Sequence, residues 1–168
     1  MQKIGFGGSC HWCTEAIFSS LKGVVEVKQG WISSDGDNDN FSEAVVVKYL
    51  EEQINLHTLI EIHLHTHSCT SVHTMRSKYR SAIYVFDAAQ LSSAKTSIRE
   101  LQTDFDQPII TDVISFRKFK QNQDRYLNYY YSNREKPFCQ NIINPKLQKI
   151  ITLFSSVVNL EKTGKLDY

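Results

Sequence analysis

Two cysteines near the start of the chain, Cys10 and Cys13, have the clearest capacity for chemistry. Cys10 follows a strand-like segment, residues 2–6, and a glycine-rich turn, and it opens a helix predicted for residues 11–22. A thiol at a helix N-terminus faces unpaired N–H groups and the positive end of the helix dipole, which favour its thiolate form. Cys13 lies one helical turn away, as in a Cys-x-x-Cys redox pair. We therefore predict that Cys10 is a nucleophile, with two buried core cysteines as the alternative.

A histidine-rich stretch, residues 63–73, raises the question of a metal site. Alternating imidazoles and a thiol can bind zinc. However, His-x-His-x-His presents successive rings on one face only in a strand, and this stretch is predicted to run from a helix end into a loop. We therefore expect no metal. The residues in question are His63, His65, His67, Cys69 and His73.

The segments that must position these side chains alternate between strands and helices. Strands are predicted where β-branched residues gather, and helices where apolar residues recur at helical spacing. Polar loops are expected at residues 33–40 and 65–78. This order predicts an α+β fold, a mixed α/β sandwich with helices layered on a sheet. The further predicted strands cover residues 24–32, 43–50, 80–86 and 109–114, and the further helices cover 55–64, 88–101 and 124–132.

Composition limits the partners and the setting of the protein. The chain has 168 residues, 41% of them hydrophobic, and we expect a single domain over residues 1–168. A formal net charge of +1 provides no field to attract nucleic acid or an anionic membrane. No apolar run is long enough for a signal peptide or a membrane span. Four cysteines are too few for a disulfide scaffold, so we expect a soluble, cytoplasmic protein.

Several segments together resemble one family. Residues 5–16, Gly-Phe-Gly-Gly-Ser-Cys-His-Trp-Cys-Thr-Glu-Ala, are similar to the nucleophile segment of the methionine sulfoxide reductase A family, in which a glycine-rich turn leads into Cys-Phe-Trp. The resemblance continues in order over most of residues 4–150 and implies a ferredoxin-like core, with a mostly antiparallel or mixed sheet flanked by helices. The other similar segments are Leu-Lys-Gly-Val at 21–24, Ser-Glu-Ala-Val at 42–45, Lys-Tyr-Arg-Ser-Ala-Ile-Tyr at 78–84, and Lys-Pro-Phe-Cys-Gln to Ile-Asn-Pro-Lys at 136–146.

The resemblance implies an enzyme, a peptide-methionine (S)-S-oxide reductase, that reduces the S epimer of free or peptide-bound methionine sulfoxide. Such chemistry needs a nucleophile for sulfur and a proton donor for oxygen. Cys10, Glu43 and Tyr79 match the family's catalytic residues. Glu43 can donate a proton near neutral pH only if it is buried, and a solvated strand-edge charge is its alternative. Trp12 and His11 are the implied substrate-binding residues, with Trp12 as a wall of the pocket for the substrate's methyl group.

The same resemblance implies how the nucleophile is regenerated. Attack leaves Cys10 as a sulfenic acid, which a second thiol converts to a disulfide. Cys139 matches the resolving cysteine and lies in a C-terminal segment, residues 136–168. Cys13 is nearer, but a disulfide across one helical turn is strained, so Cys139 is preferred. Thioredoxin or another dithiol is the expected external reductant, with no bound cofactor, and we expect a monomer.

Four departures from the family pattern surround these residues. The loop at 33–40 lacks a tyrosine that helps to hold the sulfoxide oxygen in the family. His11 replaces a phenylalanine and would put a titratable ring into the methyl pocket. Thr74 replaces an aspartate, and Arg76 and Lys78 replace neutral residues.

Two other functions remain open on the sequence. A thioredoxin-like oxidoreductase would explain the Cys-x-x-Cys spacing, but none of the three prolines, Pro108, Pro137 and Pro145, suits the position opposite such a pair. A catalytically weak relative could keep the fold and thiols as a redox sensor or a sulfoxide-binding module. The sequence leaves open whether the substrate is free or protein-bound.

Overall fold

The computed structural model describes residues 1–163 as a six-stranded mixed sheet with helices packed against it. The strands are β1 (Gln2–Gly7), β2 (Val24–Ser33), β3 (Ser42–Tyr49), β4 (Ala82–Val85), β5 (Asp112–Ser115) and β6 (Lys118–Gln121). The helices are α1 (His11–Ser19), α2 (Leu56–His65), α3 (Ala88–Leu101), α4 (Tyr129–Ser132), α5 (Asn144–Leu153) and α6 (Leu160–Thr163).

The first four strands form the predicted ferredoxin-like core. Their chain order is β1-α1-β2-β3-α2-β4, and their order in the sheet is β4-β1-β3-β2, with every neighbouring pair antiparallel. β5 adds to β4 in parallel, and β6 adds to β2 in an antiparallel manner. The predicted α+β fold with a mixed sheet is confirmed.

The two faces of the sheet are covered differently. Alternate side chains of β1, β3 and β4, such as Phe6, Val45 and Ile83, face the helices and form the main core with α1 and α2. On the other face, a smaller cluster around Tyr84 and Ile32 is covered by residues around β5 and β6. Phe119 of β6 therefore helps to cover this second face of the sheet.

Local signals explain most element boundaries. Asn55 caps α2 by accepting a hydrogen bond from the Thr58 N–H at 2.8 Å, and Asp87 caps α3 in the same way from the Gln90 N–H. Gly23 has a φ of 81°, as expected for the turn after α1, although α1 ends earlier than predicted, at Ser19. No helix within residues 1–163 is long and apolar enough to cross a membrane.

The predicted tyrosine-rich helix over residues 124–132 forms only in its last four residues, as α4. A short 3-10 turn (Asp124–Tyr126) is followed by Asn128 in a left-handed conformation, with a φ of 53°, and only then by the single turn of α4. The carboxylate of Glu15 accepts hydrogen bonds from the N–H groups of Asn128 and Tyr129. This tertiary contact replaces the helical hydrogen bonds that the local pattern predicted.

The C-terminal segment is helical through much of its described length. A π-helical turn (Cys139–Ile143) leads directly into α5, so Cys139 lies within a packed helix and has no exposed surface. Residues 164–168 of the predicted 136–168 segment lie outside the described part of the chain. β6 and α5 are absent from the sequence prediction.

A substitution at Gly30 tests whether β6 must lie as close to β2 as the structure shows. A Cβ atom at Gly30 would lie 2.0 Å from the carbonyl oxygen of Lys120, which is backbone and cannot rotate away. We expect Gly30→Ala to lower the free energy of unfolding by about 3 kcal/mol, measured by urea denaturation. Val25→Ala, at an exposed position on the same strand, is the control. A Gly30→Ala loss no larger than the control's would contradict the required close approach.

Candidate active site

Cys10 stands at the junction between the glycine turn and α1. It is the N-cap residue, and its carbonyl oxygen accepts hydrogen bonds from the N–H groups of Cys13 and Thr14 at 3.1 and 3.2 Å. Gly8, two residues earlier, has a φ of 141°, which a side chain would not tolerate. The turn therefore delivers a partly exposed thiol to the N-terminus of a helix, as the sequence predicts.

The surroundings of Cys10 favour its thiolate. A hydrogen bond from the Cys13 thiol is the largest cause that lowers the pKa of Cys10, and the backbone N–H groups of Trp12 and Cys13 act in the same direction. Burial opposes this shift, as would a negative charge on Glu43. The same hydrogen bond and burial raise the pKa of Cys13. Cys10 is therefore the sulfur that ionises, and Cys13 is its proton-bearing partner.

Glu43 lies beside this thiol and is buried. It sits next to Ala44, which pairs with Gly7 in the sheet, and only 6% of the residue's surface is exposed. Its Oε1 lies 3.1 Å from Nε2 of His11, whereas the buried Oε2 has no hydrogen-bond partner among the described residues. The solvated strand-edge alternative for Glu43 is wrong.

His11 occupies a different place from the predicted one. Its ring is buried behind Glu43, with Nδ1 3.0 Å from the carbonyl oxygen of Gly30. Its edge lies against Trp31, and its ring centre is 6.4 Å from that of Trp12. The ring therefore contacts the carboxyl of Glu43 and does not stack on Trp12, the predicted wall of the methyl pocket.

Tyr79 follows a loop that is fastened close to Cys10. The guanidinium of Arg76 donates hydrogen bonds to the carbonyl oxygens of Gly8 and Tyr79 at 2.8 and 3.0 Å. It also donates to two carbonyl oxygens in its own loop, those of Ser68 and Ser71. Arg76, which departs from the family pattern, thus joins the loop at residues 65–78 to the glycine turn before Cys10.

Lys78 places a positive charge between Tyr79 and Glu43. Its Nζ lies 3.9 Å from Oε2 of Glu43 and 5.1 Å from the centre of the Tyr79 ring. A hydrogen bond with Tyr79 is the largest cause that raises the pKa of Lys78. The side chain is 56% exposed, so it can move without disrupting the core.

Trp12 belongs to an aromatic group that the sequence prediction missed. Its indole stacks on Tyr129 at 4.0 Å and on Tyr126 at 5.5 Å, and Phe138 meets its face edge-on at 5.7 Å. Nε1 of Trp12 is buried and without a hydrogen-bond partner in the described residues. The sequence signal for this group is the tyrosine-rich segment, for which the local pattern predicts a helix.

A cavity of about 600 Å³ opens on one side of Cys10. Its wall includes Cys10, Cys13, Tyr79 and Phe138. Glu43, His11 and Trp12 lie outside this wall. Cys10 and Tyr79 therefore border the cavity, whereas Cys139 is enclosed and burial raises its pKa.

Two residues of the histidine-rich stretch, His63 and His67, lie beside the glycine turn and make hydrogen bonds there. Nε2 of His63 donates to the carbonyl oxygen of Gly7 at 2.8 Å, and His67 bridges the His63 carbonyl and Ser81. Burial lowers the pKa of His67 to about 4, so its ring is neutral at physiological pH. Within residues 1–163, the group with ligand atoms close enough for a metal is a different one, Glu61, His65 and Asp104.

Comparison with known sequences identifies relatives over nearly the whole chain. Residues 2–156 match the sequence model of the family described as "Peptide methionine sulfoxide reductase". "Peptide methionine sulfoxide reductase MsrA" of Chromobacterium violaceum is 34% identical over 174 aligned positions, which cover 94% of this chain and 99% of the relative.

Solved structures share the fold at lower sequence identity. Mxr1 from Saccharomyces cerevisiae in its reduced form has a TM-score of 0.73 and 19% identity, covering 82% of this chain and 88% of the yeast chain. Mxr1 in complex with Trx2 has a TM-score of 0.57 and 17% identity, covering 74% and 82% of the two chains.

The hydrogen bond between the two thiols gives a test of the thiolate assignment. Cys13→Ala removes the donor to Cys10, whereas Cys13→Ser keeps a hydroxyl donor in its place. We expect the pKa of Cys10, measured from the pH dependence of its alkylation by iodoacetamide, to be higher in Cys13→Ala than in Cys13→Ser. Peptide mapping separates Cys10 from Cys69 and Cys139, which are buried. Equal values in the two variants would show that Cys13 does not stabilise the thiolate.

Proposed function

Because the chain belongs to the peptide methionine sulfoxide reductase family, we propose that it reduces methionine sulfoxide to methionine with Cys10 as the nucleophile. The observation that carries this proposal is a thiolate-favouring cysteine at a helix N-terminus beside a buried carboxyl, Glu43. A nucleophile for sulfur and an acid for oxygen are the two groups that the reaction requires.

The first step transfers the sulfoxide oxygen to Cys10. The thiolate attacks the sulfur of the sulfoxide, and the oxygen takes one proton from Glu43. The oxygen then bonds to the Cys10 sulfur while the bonds from the substrate sulfur to the oxygen and to Cys10 break, which leaves the thioether of methionine and a sulfenic acid on Cys10. The step consumes one proton and needs no metal or bound cofactor.

Glu43, Lys78 and Tyr79 surround the position proposed for the oxygen. Oε2 of Glu43 has no hydrogen-bond partner among the described residues, and movement of the exposed Lys78 side chain would uncover it. The Tyr79 hydroxyl is the remaining family donor to the oxygen. The ammonium of Lys78 adds a positive charge here, where the family's other tyrosine is missing from residues 33–40.

Trp12 and its aromatic neighbours are the proposed pocket for the methyl group. A stacked wall of Trp12, Tyr129 and Phe138 offers an apolar surface next to the nucleophile. An acid on one side of the sulfur and an apolar pocket on another distinguish the two sulfoxide epimers. We assign the S epimer, free or peptide-bound, by analogy with the family.

Cys139 is the proposed resolving cysteine, and Cys13 is the alternative. Attack on the sulfenic acid of Cys10 forms a disulfide and releases water. Cys13 already contacts Cys10, but both lie on one helical turn, where a disulfide is strained. Cys139 is enclosed in a π-helical turn, an irregular helical geometry that is common at functional sites, and must move to reach Cys10.

A thioredoxin-type dithiol is the proposed reductant of this disulfide. The yeast protein Mxr1, which shares the fold, has been solved with Trx2. Four unpaired cysteines suit a reducing compartment, and we place the enzyme in the cytoplasm as a monomer. A catalytically weak sensor is not favoured, because the curated relatives are reductases over almost their full length.

The function is tested with the S and R epimers of methionine sulfoxide, free and within a peptide, and dithiothreitol as reductant. We expect turnover of the S epimer, its loss in Cys10→Ser, and a kcat lowered about 10²-fold or more in Glu43→Gln because the proton donor is missing. Glu26→Gln is the control, since Glu26 lies on the neighbouring strand β2 and pairs with Lys48 away from the site. Absence of turnover with every sulfoxide would refute the proposal.

Turnover with thioredoxin as the reductant tests which cysteine resolves the sulfenic acid of Cys10. We expect Cys139→Ser to retain one stoichiometric turnover in the absence of reductant but to lose thioredoxin-dependent cycling, because no disulfide forms for thioredoxin to reduce. Methionine formed per enzyme is the measurement. Cys69→Ser, at a buried thiol with no proposed role, is the control. Undiminished cycling in Cys139→Ser together with its loss in Cys13→Ser would assign the resolving role to Cys13.

A further inference from the structure

The ring of His11 has hydrogen-bond partners on both of its nitrogen atoms, and their identity fixes where its proton lies. Nδ1 is 3.0 Å from the carbonyl oxygen of Gly30, which can only accept a hydrogen bond. Nδ1 must therefore carry a hydrogen. In a neutral imidazole, Nε2 is then an acceptor.

A second set of contacts reaches the same result from the other side of the ring. The side-chain nitrogen of Gln29 donates to the Tyr126 carbonyl oxygen at 2.9 Å, so the other end of this amide is its oxygen. That oxygen accepts a hydrogen bond from Nδ2 of Asn122 at 2.6 Å, while Oδ1 of Asn122 accepts from the Gln123 N–H. The orientation of the Asn122 amide is thereby determined.

Nδ2 of Asn122 also points at Nε2 of His11, at 3.3 Å. An amide nitrogen is a donor, so Nε2 must offer a lone pair and carries no hydrogen. The Gly30 and Asn122 contacts thus assign the same neutral tautomer independently. A doubly protonated ring would oppose the amide of Asn122 with a second donor.

This tautomer determines the state of Glu43. Its Oε1 lies 3.1 Å from Nε2 of His11. Two lone pairs would face each other if Glu43 were ionised, whereas the carboxylic acid donates an O–H···N hydrogen bond. Nε2 has a single lone pair, which then faces both this donor and the longer 3.3 Å contact of the Asn122 amide, whose shorter hydrogen bond goes to Gln29. Both side chains are buried, which also disfavours a pair of separated charges.

We propose that His11 is a positioning residue that keeps Glu43 in its protonated form by accepting a hydrogen bond from the carboxyl, an inference that rests on the proposed function of Glu43 as the proton donor. The phenylalanine of the family offers no such acceptor. In this chain the acid is therefore a carboxyl–imidazole pair that holds one proton.

Delivery of that proton needs no further group. The terminal torsion of a glutamate is broad and two-fold, so the proton can be presented on either oxygen. As Cys10 attacks, the sulfoxide oxygen takes the proton from the carboxyl. Glu43 is left as a carboxylate, with Lys78 close enough to offset its charge, and it regains a proton from solvent before the next turnover.

Several other charged groups surround the pair. Lys78 from the loop and Cys10 from the glycine turn face Glu43. Glu15 on α1 is linked to the pair through Gln29 and Asn122, and Lys120 on β6 lies over the Trp31 ring, which contacts His11. Burial lowers the pKa of His11, and this outweighs the opposing effects of the Gly30 carbonyl and Glu43.

The tautomer is tested first, in the wild-type protein, by NMR of ¹⁵N-labelled histidine. His11→Asn identifies the resonances of His11. We expect a hydrogen on Nδ1 and an unprotonated Nε2 at neutral pH. A hydrogen on Nε2 at that pH would mean that the ring donates to an ionised Glu43 and would overturn the proposal.

The pH profile of kcat tests the consequence. Activity is lost on the alkaline side as the pair loses its proton, and removing the acceptor favours that loss. We expect His11→Phe to move the alkaline limb of the kcat profile to lower pH by about one unit. The acidic limb, which reports the ionisation of Cys10, should stay in place. His11→Asn, which can keep the bond to Gly30 but lacks Nε2, should behave in the same way.

His57→Phe is the control, because His57 is a partly exposed histidine remote in function that bonds to Ser97. A uniform loss of kcat in the His11 variants, with both limbs in place, would show that His11 is only structural and would overturn the inference. Absence of turnover by the wild-type enzyme would refute the proposed function instead, while the NMR result would still report the tautomer.

Discussion

Cys10 and Glu43 share a poorly solvated space, and this proximity constrains the rest of the site. Two negative charges placed together there would repel each other, so an ionised Glu43 would oppose ionisation of Cys10. A thiolate and a carboxylic acid can coexist, and sulfoxide reduction needs that combination. Cys13 and the helix N-terminus stabilise the thiolate on one side, and His11 holds the proton of the acid on the other.

The short edge strand β6 positions Asn122, which connects β2 to the ring of His11. Its last residue is followed by Asn122, whose amide connects Gln29 of β2 to the ring of His11. Gln29 in turn reaches Glu15 on α1. A continuous set of hydrogen bonds thus runs from the sheet edge to the acid, and every orientation in it is determined by a backbone carbonyl or N–H group.

The loop at residues 65–78 shows how a site can keep its geometry while its composition changes. Arg76 replaces a neutral residue of the family, yet its guanidinium holds the loop to Gly8 and Tyr79. His63 and His67 also serve the glycine turn, through the Gly7 carbonyl and close packing on Gly8. His63 and His67 therefore stabilise the approach to Cys10.

The sequence by itself predicted an α+β fold from the local patterns of its strands and helices, and it singled out Cys10 by its place at a helix start. The family resemblance implied the ferredoxin-like core and the role of Glu43. It could not place β6 or the tyrosine-rich segment, where Glu15 breaks the predicted helix through contacts more than a hundred residues away in the chain. Only the tertiary structure decided the role of His11. A histidine in isolation can donate or accept from either nitrogen, and the Gly30 carbonyl and the Asn122 amide, brought together by the pairing of β2 with β6, select one tautomer.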